Sequence, residues 1–390
     1  MPKASKSSLI YNYIRRGIET GKFSVNERIP TDRELVAQFG ISRPIVSGAI
    51  HRLAEEHLIH RNRKAGSIVI AIPPRSSLTF GAILLGLASQ HHEQTICDMI
   101  GRELSRQAAM DRAFILLQDP SWSEDPGEAG VFHRARMIAG DFITRKISGA
   151  FIMPQEILAN QLISPTIGIV EDFQNAGIPV VLIDRDIVRH PMRSRMDWVG
   201  IDNFGAGYTL AKHFIDLGCR KIDFFAHTTQ VPTQEARIDG YLRALELRRI
   251  HTQQAGVFRI NLFDSGAVVE TLRRRRPEAV LVVSDSRAIH IMQFAVEAGI
   301  KIPEDLRIGS FDDLPMSAHL SVPLTTIRQP AASVAAVALR TMFQRMDNPH
   351  WAPVHSELQC ELVVRQSSGS PVATARSGIT HPIINASTNV

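Results

Sequence analysis

Cysteine is scarce in this sequence. Cys97, Cys219 and Cys360 are the three in 390 residues, an odd number, far apart and without the short spacing of metal ligands. That excludes a disulfide framework and a cysteine-based metal centre, and it predicts a chain kept in a reducing cytoplasm. Long apolar runs are missing as well: no stretch approaches the ~18 uninterrupted apolar residues of a membrane helix. Nor does a basic start lead into an apolar run, so no export signal is expected. Hydrophobic residues still make up 44% of the chain. That is enough for large cores, and the length predicts two or three domains.

Net positive charge is missing from most of the chain and concentrated in one part. Residues 1–75 hold 13 of the 44 Lys and Arg and 6 of the 39 Asp and Glu, a balance of +7, while the other 315 residues balance at −2. A basic stripe confined to one small module is the footprint of nucleic-acid binding. Residues 31–67, TDRELVAQFGISRPIVSGAIHRLAEEHLIHRNRKAGS, add a pattern to that charge. Thr31 and Glu34 have capping-box spacing, so a helix is predicted from Asp32, with Gly40 as its left-handed stop. Ser42 is placed to cap a second helix that carries Pro44 in its first turn. Val46, Ala49, Ile50 and Leu53 give that helix one buried face. Arg43, Ser47 and His51 then lie on its other side, where a recognition helix meets base edges. A hairpin, His60 to Ile70, follows with Arg61, Arg63 and Lys64 before Gly66, as a phosphate-gripping wing would.

These motifs, Arg33-Glu34-Leu35, Gly40-Ile41-Ser42-Arg43, Leu58-Ile59 and Ala65-Gly66-Ser67, resemble the GntR-type winged helix-turn-helix over about residues 7–71. The resemblance implies DNA contacts by Arg33 and Arg43, with Gly66 near the backbone. Pro44 and Ser47 stand where that family has threonine and a longer polar residue. The expected DNA-binding set is Arg33, Ser42, Arg43, Pro44, Ser47, Arg63, Lys64 and Gly66.

A seam follows at the segment AIPPRSSLT, too proline-rich to extend a strand or helix. The expected division is a head at 1–72, a linker at 73–79, a core at 80–366 and a disordered tail at 367–390. Within the core, short apolar runs (80–86, 113–118, 149–154, 179–184, 198–202, 222–227, 257–261, 279–285 and 307–311) alternate with amphipathic segments (98–109, 205–217, 234–247 and 287–299). That texture predicts an α/β fold with doubly wound parallel sheets. The strands are too many for one sheet, so two lobes with a cleft between them are expected. Signals for catalysis are weak. Asp184 with Asp186, or Asp312 with Asp313, read as strand-end carboxylates rather than an acid–base pair. His91-His92 lacks a third ligand at metal spacing. Gly205-Ala206-Gly207 lacks the lysine and the full fingerprint of a nucleotide loop. Arg273 to Arg276 read as a solvated helix end. No catalytic residue, metal or cofactor is expected.

The core resembles the effector-binding domain of the lac repressor (LacI/GalR) family, itself similar to periplasmic sugar-binding proteins, over roughly 79–366. The motifs that carry this are GAFIMP, IPVVLID, VGIDNFGAGYTLAKHFIDLGCRKIDFF, Arg237-Ile238-Asp239-Gly240-Tyr241, IPEDLRIGSFDD and PLTTIRQP. Joined to the head, they resemble the arabinose-repressor group of regulators. Ser284-Asp285 stands where that family has an Asn-Asp pair, and the proline linker stands in place of a lac-type hinge helix. The resemblance implies a ligand-responsive transcription regulator, a repressor controlled by a small carbohydrate and acting on double-stranded operator DNA as a homodimer. Arg237 as a fork of donors, with Asp312 and Asp285 as acceptors, suits neighbouring sugar hydroxyls. Gln329 and Arg185 complete the expected set, with Phe204 or Trp122 as a stacking face. The alternative is a head of this type fused to a pyridoxal-phosphate aminotransferase-like enzyme. It needs a cofactor lysine after a strand, and Lys146, Lys212, Lys221 and Lys301, those past the head, all read as solvated.

Overall fold

Short, mostly apolar strands separated by amphipathic helices set the architecture of most of the chain. The computed structural model describes residues 6–19, 22–62, 66–71, 78–84, 95–120, 128–155, 162–189, 192–228, 231–250 and 255–369. The linker prolines, Arg63, Lys64, His91, His92, Trp122 and residues 370–390 lie outside the described residues. The chain divides into two units, Met1–Leu78 and Thr79–Val390.

The first unit holds three helices, α1 (Lys6–Glu19), α2 (Asp32–Phe39) and α3 (Arg43–Glu55), and a hairpin of β1 (Ile59–Asn62) and β2 (Gly66–Val69). The capping box of Thr31 and Glu34 forms, with the Glu34 backbone N–H donating to the Thr31 hydroxyl at 3.3 Å. Gly40 ends α2 at φ +62°. Val46, Ala49, Ile50 and Leu53 are all buried, packed with Ile10, Ile14, Leu35 and Val69 in one core. The Tyr11 hydroxyl donates to Glu56 at 2.6 Å, tying α1 to the end of α3.

The second unit carries two six-stranded sheets. The elements of lobe 1 are β3 (Thr79–Ile83), α4 (Ile96–Met110), β4 (Phe114–Gln118), α5 (Glu128–Thr144), β5 (Gly149–Ile152), α6 (Ile167–Asn175), β6 (Val180–Ile183) and β7 (Asp197–Ile201). Lobe 2 continues with α7 (Asn203–Asp216), β8 (Ile222–Ala226), α8 (Pro232–Leu247), β9 (Val257–Arg259), α9 (Ser265–Arg275), β10 (Ala279–Val282), α10 (Asp285–Glu297), β11 (Arg307–Asp312) and β12 (Thr325–Arg328). The chain then returns to lobe 1 through α11 (Ala331–Asp347) and β13 (His355–Leu358), and ends in lobe 2 with β14 (Glu361–Val363). The sheet orders are β13-β7-β6-β5-β3-β4 and β14-β12-β11-β10-β8-β9. Every pair in them is parallel except β12 with β14. Strands such as β5, β6 and β10 are buried throughout, as expected when helices cover both faces of a parallel sheet.

The nine apolar runs all form strands, and three further strands join them. β12, β13 and β14 are short, and β13 and β14 are half-buried, so they lack a continuous apolar run to announce them. Their pairing is set by distant partners: Ser356 lies opposite Val199, and Leu362 opposite Ile327. The lobes are thereby joined by three crossings, at residues 202, 329–330 and 359–360. A bidentate ion pair secures α11 to lobe 1, with Arg345 Nε 2.7 Å and Nη2 2.9 Å from the Asp197 carboxylate. Residues 367–369, expected to open the tail, belong to the core. Ser367 and Ser368 are fully buried, and the Ser367 hydroxyl donates to the Ile308 carbonyl at 2.6 Å.

Gly207 of the GAG segment, together with Gly240, has a packing role rather than a phosphate-loop role. A Cβ added at Gly207 would lie 1.9 Å from the Arg237 carbonyl oxygen, and one at Gly240 would lie 2.0 Å from that of Phe204. Helices α7 and α8 therefore cross backbone to backbone, which sets the position of Arg237. Gly207→Ala is expected to cost about 2–4 kcal/mol, because backbone rather than a flexible side chain has to move. Urea unfolding checks this, and an unchanged midpoint would contradict the close crossing.

Candidate functional site

In the first unit, α3 presents Arg43 at its first position and Pro44 in its first turn, both exposed. Ser42 stands at the N-cap, but its side chain makes no capping bond, which differs from the cap expected of it. Ser47 is half-buried, and Arg61 of β1 donates to its hydroxyl at 3.1 Å and to Asp32 at 2.9 Å. Arg61 thus clamps the hairpin onto α2 and α3. Arg33 is exposed on α2. Gly66 opens β2 at φ +80°, a conformation that L side chains rarely adopt.

In the second unit a cavity of about 400 Å³ opens at the C-terminal ends of β6, β8, β10 and β11, between the lobes. Strand ends of this kind are where open α/β sheets collect ligands. Lobe 1 supplies Ile96, Asp184 and Arg185, and the rest of the wall comes from lobe 2 and the crossing at Gln329. Arg237, Asp312, Gln329 and Arg185 are brought together here as expected. Arg237 is 8% exposed. Its Nε donates to Asn203 Oδ1 at 2.9 Å and its Nη1 to the Val283 carbonyl at 2.6 Å. The guanidinium carbon lies 4.7 Å from the centre of the Phe311 ring. Gln329 Nε2 donates to Asp312 Oδ1 at 2.7 Å. Arg185 pairs with Asp184 at 2.9 Å.

Asp312 and Asp184 both have positive φ, +121° and +69°. Such backbone costs of order 1–3 kcal/mol and persists where its surroundings hold it. For Asp312 the hold comes from Gln329 and from the next residue: Asp313 is ion-paired with Arg328 at 2.7 Å and with Arg365 at 2.6 Å. Asp186 likewise accepts from the backbone N–H groups of Ile187 and Ser194. Asp184 and Asp312 stand at strand ends on the cleft wall, as expected, while Asp186 and Asp313 are taken up by other partners.

Two expected ligand residues lie elsewhere. Asp285 is fully buried, and its carboxylate accepts from the hydroxyls of Ser310, Ser317 (2.5 Å) and Thr326 (2.6 Å) and from the Leu314 N–H (2.8 Å). All four acceptor positions are used, so it staples the start of α10 to β11, to β12 and to the segment after β11, and it does not line the cavity. Phe204 is 46% exposed on the first turn of α7 and is absent from the cavity wall. The run at 273–276 is likewise only partly solvated, since Arg275 pairs with the buried Asp223 at 3.0 Å. Sequence reasoning missed His227, Thr233, Gln234, Ser284 and Arg287 on the wall. Their shared signal is position, each just after a strand or in the first turn of the next helix.

The bacterial regulatory protein family gntR matches residues 6–69, and the periplasmic binding protein-like domain matches residues 211–368. The chain joins a GntR-type DNA-binding head to a periplasmic-binding-protein-like core. It is similar to the arabinose metabolism transcriptional repressor of Geobacillus stearothermophilus, 23% identical over 360 residues, which cover 90% of this chain and 94% of that protein. It is also similar to the ribose operon repressor of Haemophilus influenzae, 33% identical over 37% of this chain and 45% of that protein. A LacI family transcriptional regulator from Enterococcus faecium, solved with bound ribose, shares the fold. Its TM-score is 0.60 at 20% identity, over 74% of this chain and 98% of that one. These relatives are transcription regulators rather than enzymes, and the aminotransferase alternative finds no support among them. No helix among the described residues is long and apolar enough to cross a membrane.

Burial lifts the Asp312 carboxyl to about 7. Arg237 pulls it down, the Asp285 charge pushes it up, the Gln329 amide pulls it down and Asp184 pushes it up. The folded chain therefore keeps a proton that the unfolded chain has already lost. Stability from this group is present below the ordinary carboxylate range and is lost as pH rises through about 7. The melting temperature of Asp312→Asn relative to wild type is expected to improve between about pH 5 and about pH 8. A difference that stays flat with pH would contradict it.

Proposed function

We propose that the chain is a dimeric transcriptional repressor, acting in the cytoplasm, whose grip on operator DNA is set by a small carbohydrate held between the two lobes of its core. The observation that carries this is the polar, strand-end cavity in the same chain as a basic winged helix-turn-helix. Arg237, Asp312 and Gln329 present donors and an acceptor within one wall, a pattern suited to adjacent sugar hydroxyls. Arg33, Ser42, Arg43, Pro44, Ser47 and Gly66, with Arg63 and Lys64 on the wing, are the proposed DNA-facing set. The names of the relatives, repressors of arabinose metabolism and of a ribose operon, support the reading. A single small head supplies too few base contacts for operator-level affinity, which argues for two heads on a two-fold site. A ligand bound better by closed lobes than by open ones shifts the population towards closure, and the three crossings let one lobe pivot on the other.

At the head, Arg43→Ala is expected to cost ~1–3 kcal/mol on operator DNA and to relax sequence preference, as loss of a bidentate base contact does. Lys64→Ala is expected to weaken operator and random DNA alike and to flatten the salt dependence. Equal titration curves for wild type and both variants would remove the assignment. In the core, Arg237→Ala and Asp312→Asn are expected to lose ~2–4 kcal/mol of sugar affinity by calorimetry, since each leaves a ligand group without its partner. Operator binding without sugar should survive in both. Folded variants that keep wild-type sugar affinity would place the effector elsewhere.

A further inference from the structure

Glycine is the poorest helix former after proline, so a glycine inside an exposed helix forfeits stability that alanine would give. Packing requires it in other helices of this chain. A Cβ on Gly17 of α1 would lie 2.3 Å from the Phe23 ring, and one on Gly207 of α7 would strike the Arg237 carbonyl. Gly48, midway along α3, meets no such demand. It is exposed, its φ is not positive, and a Cβ built on it would meet none of the described residues within 4 Å. Val46, Ala49, Ile50 and Leu53 turn into the core, so Pro44 and Gly48, one turn apart, share the opposite face. That is the face a recognition helix lays against base edges. Neither residue carries a hydrogen-bonding group on its side chain, and the polar side chains around them are turned to partners within the head. Ser47 accepts from Arg61 at 3.1 Å, while His51 lies 3.4 Å from Glu55 and Arg52 3.4 Å from Glu56. Arg52 also covers the Tyr11 ring, 4.1 Å from its centre.

A surface without donors or acceptors reads bases by contact alone. The one apolar group that base pairs present in the major groove is the methyl group of thymine. We propose that Gly48 is bare so that α3 can lie close against the base pairs, and that the Pro44–Gly48 face reads thymine methyl groups while Arg43 supplies the hydrogen-bonded contact. A methyl group at position 48 would hold the helix off the groove floor, because a Cβ is fixed to the backbone and cannot turn aside as a long side chain does. This rests on α3 being the recognition helix. It makes Gly48 a determinant of operator sequence and not of DNA affinity in general, which comes from phosphate contacts elsewhere on the head.

The test uses the full chain and an operator duplex that the wild type selects from random DNA. Thymines of that duplex are replaced one at a time by deoxyuridine, which keeps the base pairing and lacks the methyl group. Wild type, Gly48→Ala and Gly140→Ala are compared by fluorescence anisotropy. Gly140 of α5 is equally exposed and open but lies in the second unit, so it is the matched control. At one or more thymines the replacement should weaken wild type about 4-fold, the scale of one buried methyl group. Gly48→Ala should bind the thymine duplex about 5-fold or more weakly than wild type, the scale of one mismatched base pair, and should be indifferent to deoxyuridine. On random-sequence DNA it should match wild type. Both variants should melt at or above the wild-type temperature, as alanine for glycine does in an exposed helix, and Gly140→Ala should keep wild-type DNA binding. The methyl reading is overturned, with α3 left standing as the recognition helix, by any of four results: no sensitive thymine, a deoxyuridine loss equal in Gly48→Ala, an operator affinity unchanged in Gly48→Ala, or a loss shared by random DNA or by Gly140→Ala. A lower melting temperature for Gly48→Ala would overturn it too, by giving Gly48 a packing role. Selection of no sequence by the wild type would overturn the operator reading itself.

Discussion

Arg237 carries a permanent charge at 8% exposure, so protein groups must take the place of the water it has lost. Asn203 and the Val283 carbonyl do so through hydrogen bonds, and Phe311 does so through its ring face. Those groups belong to α7, the end of β10 and β11, so one side chain on α8 joins the elements that make the lobe-2 wall. The glycine-mediated crossing of α7 and α8 brings the residue there. Removing the partner of a buried charge costs far more than the pair is worth in net stability, which makes this arrangement hard to loosen piecemeal. The same guanidinium faces the cleft and moderates the Asp312 carboxyl. Bracing and ligand contact are therefore two uses of one group rather than rival accounts of it.

A second buried acid shows how the cleft is kept polar without becoming over-charged. Asp285 sits one residue beyond Ser284 on the wall, yet its carboxylate turns inward to four donors and is spent on structure. Burial raises its affinity for a proton while those four bonds oppose the rise. Asp313 is taken up similarly by Arg328 and Arg365. Adjacent acids thus divide their work, one shaping the loop and the other facing the cavity. The left-handed backbone at Asp184 and Asp312 marks the points where each lobe turns a carboxylate toward the cavity.

Much of this was legible in the sequence, for physical reasons that differ from element to element. Strands such as β5, β6 and β10 are apolar from end to end because helices cover both faces, and such runs need no alignment to be seen. The capping box at Thr31 and the stop at Gly40 are local hydrogen-bond chemistry, and they form as read. The hinge strands β13 and β14 were illegible because distant pairing, not their own composition, makes them strands. Asp285 was misplaced for a related reason: type and position suited a ligand acceptor, and only the fold reveals the three hydroxyls and the N–H that saturate it. The ties of Arg61 to Asp32 and Ser47 were illegible because both partners are far from it in sequence. Arg287 was missed because nothing in its neighbourhood sets it apart from a solvated helix residue until Phe263 is beneath it.

The central claim is that cleft and head are coupled, and coupling between two ligands has to be reciprocal. The direct measurement is a pair of titrations on the full chain: operator affinity with and without saturating effector, and effector affinity with and without saturating operator. An operator fragment selected from random DNA and the sugar that binds the full chain most tightly by calorimetry serve as ligands. The account predicts that the two affinities shift by the same factor, of order 5- to 150-fold. An effector that binds with one affinity whether or not operator is present would contradict it.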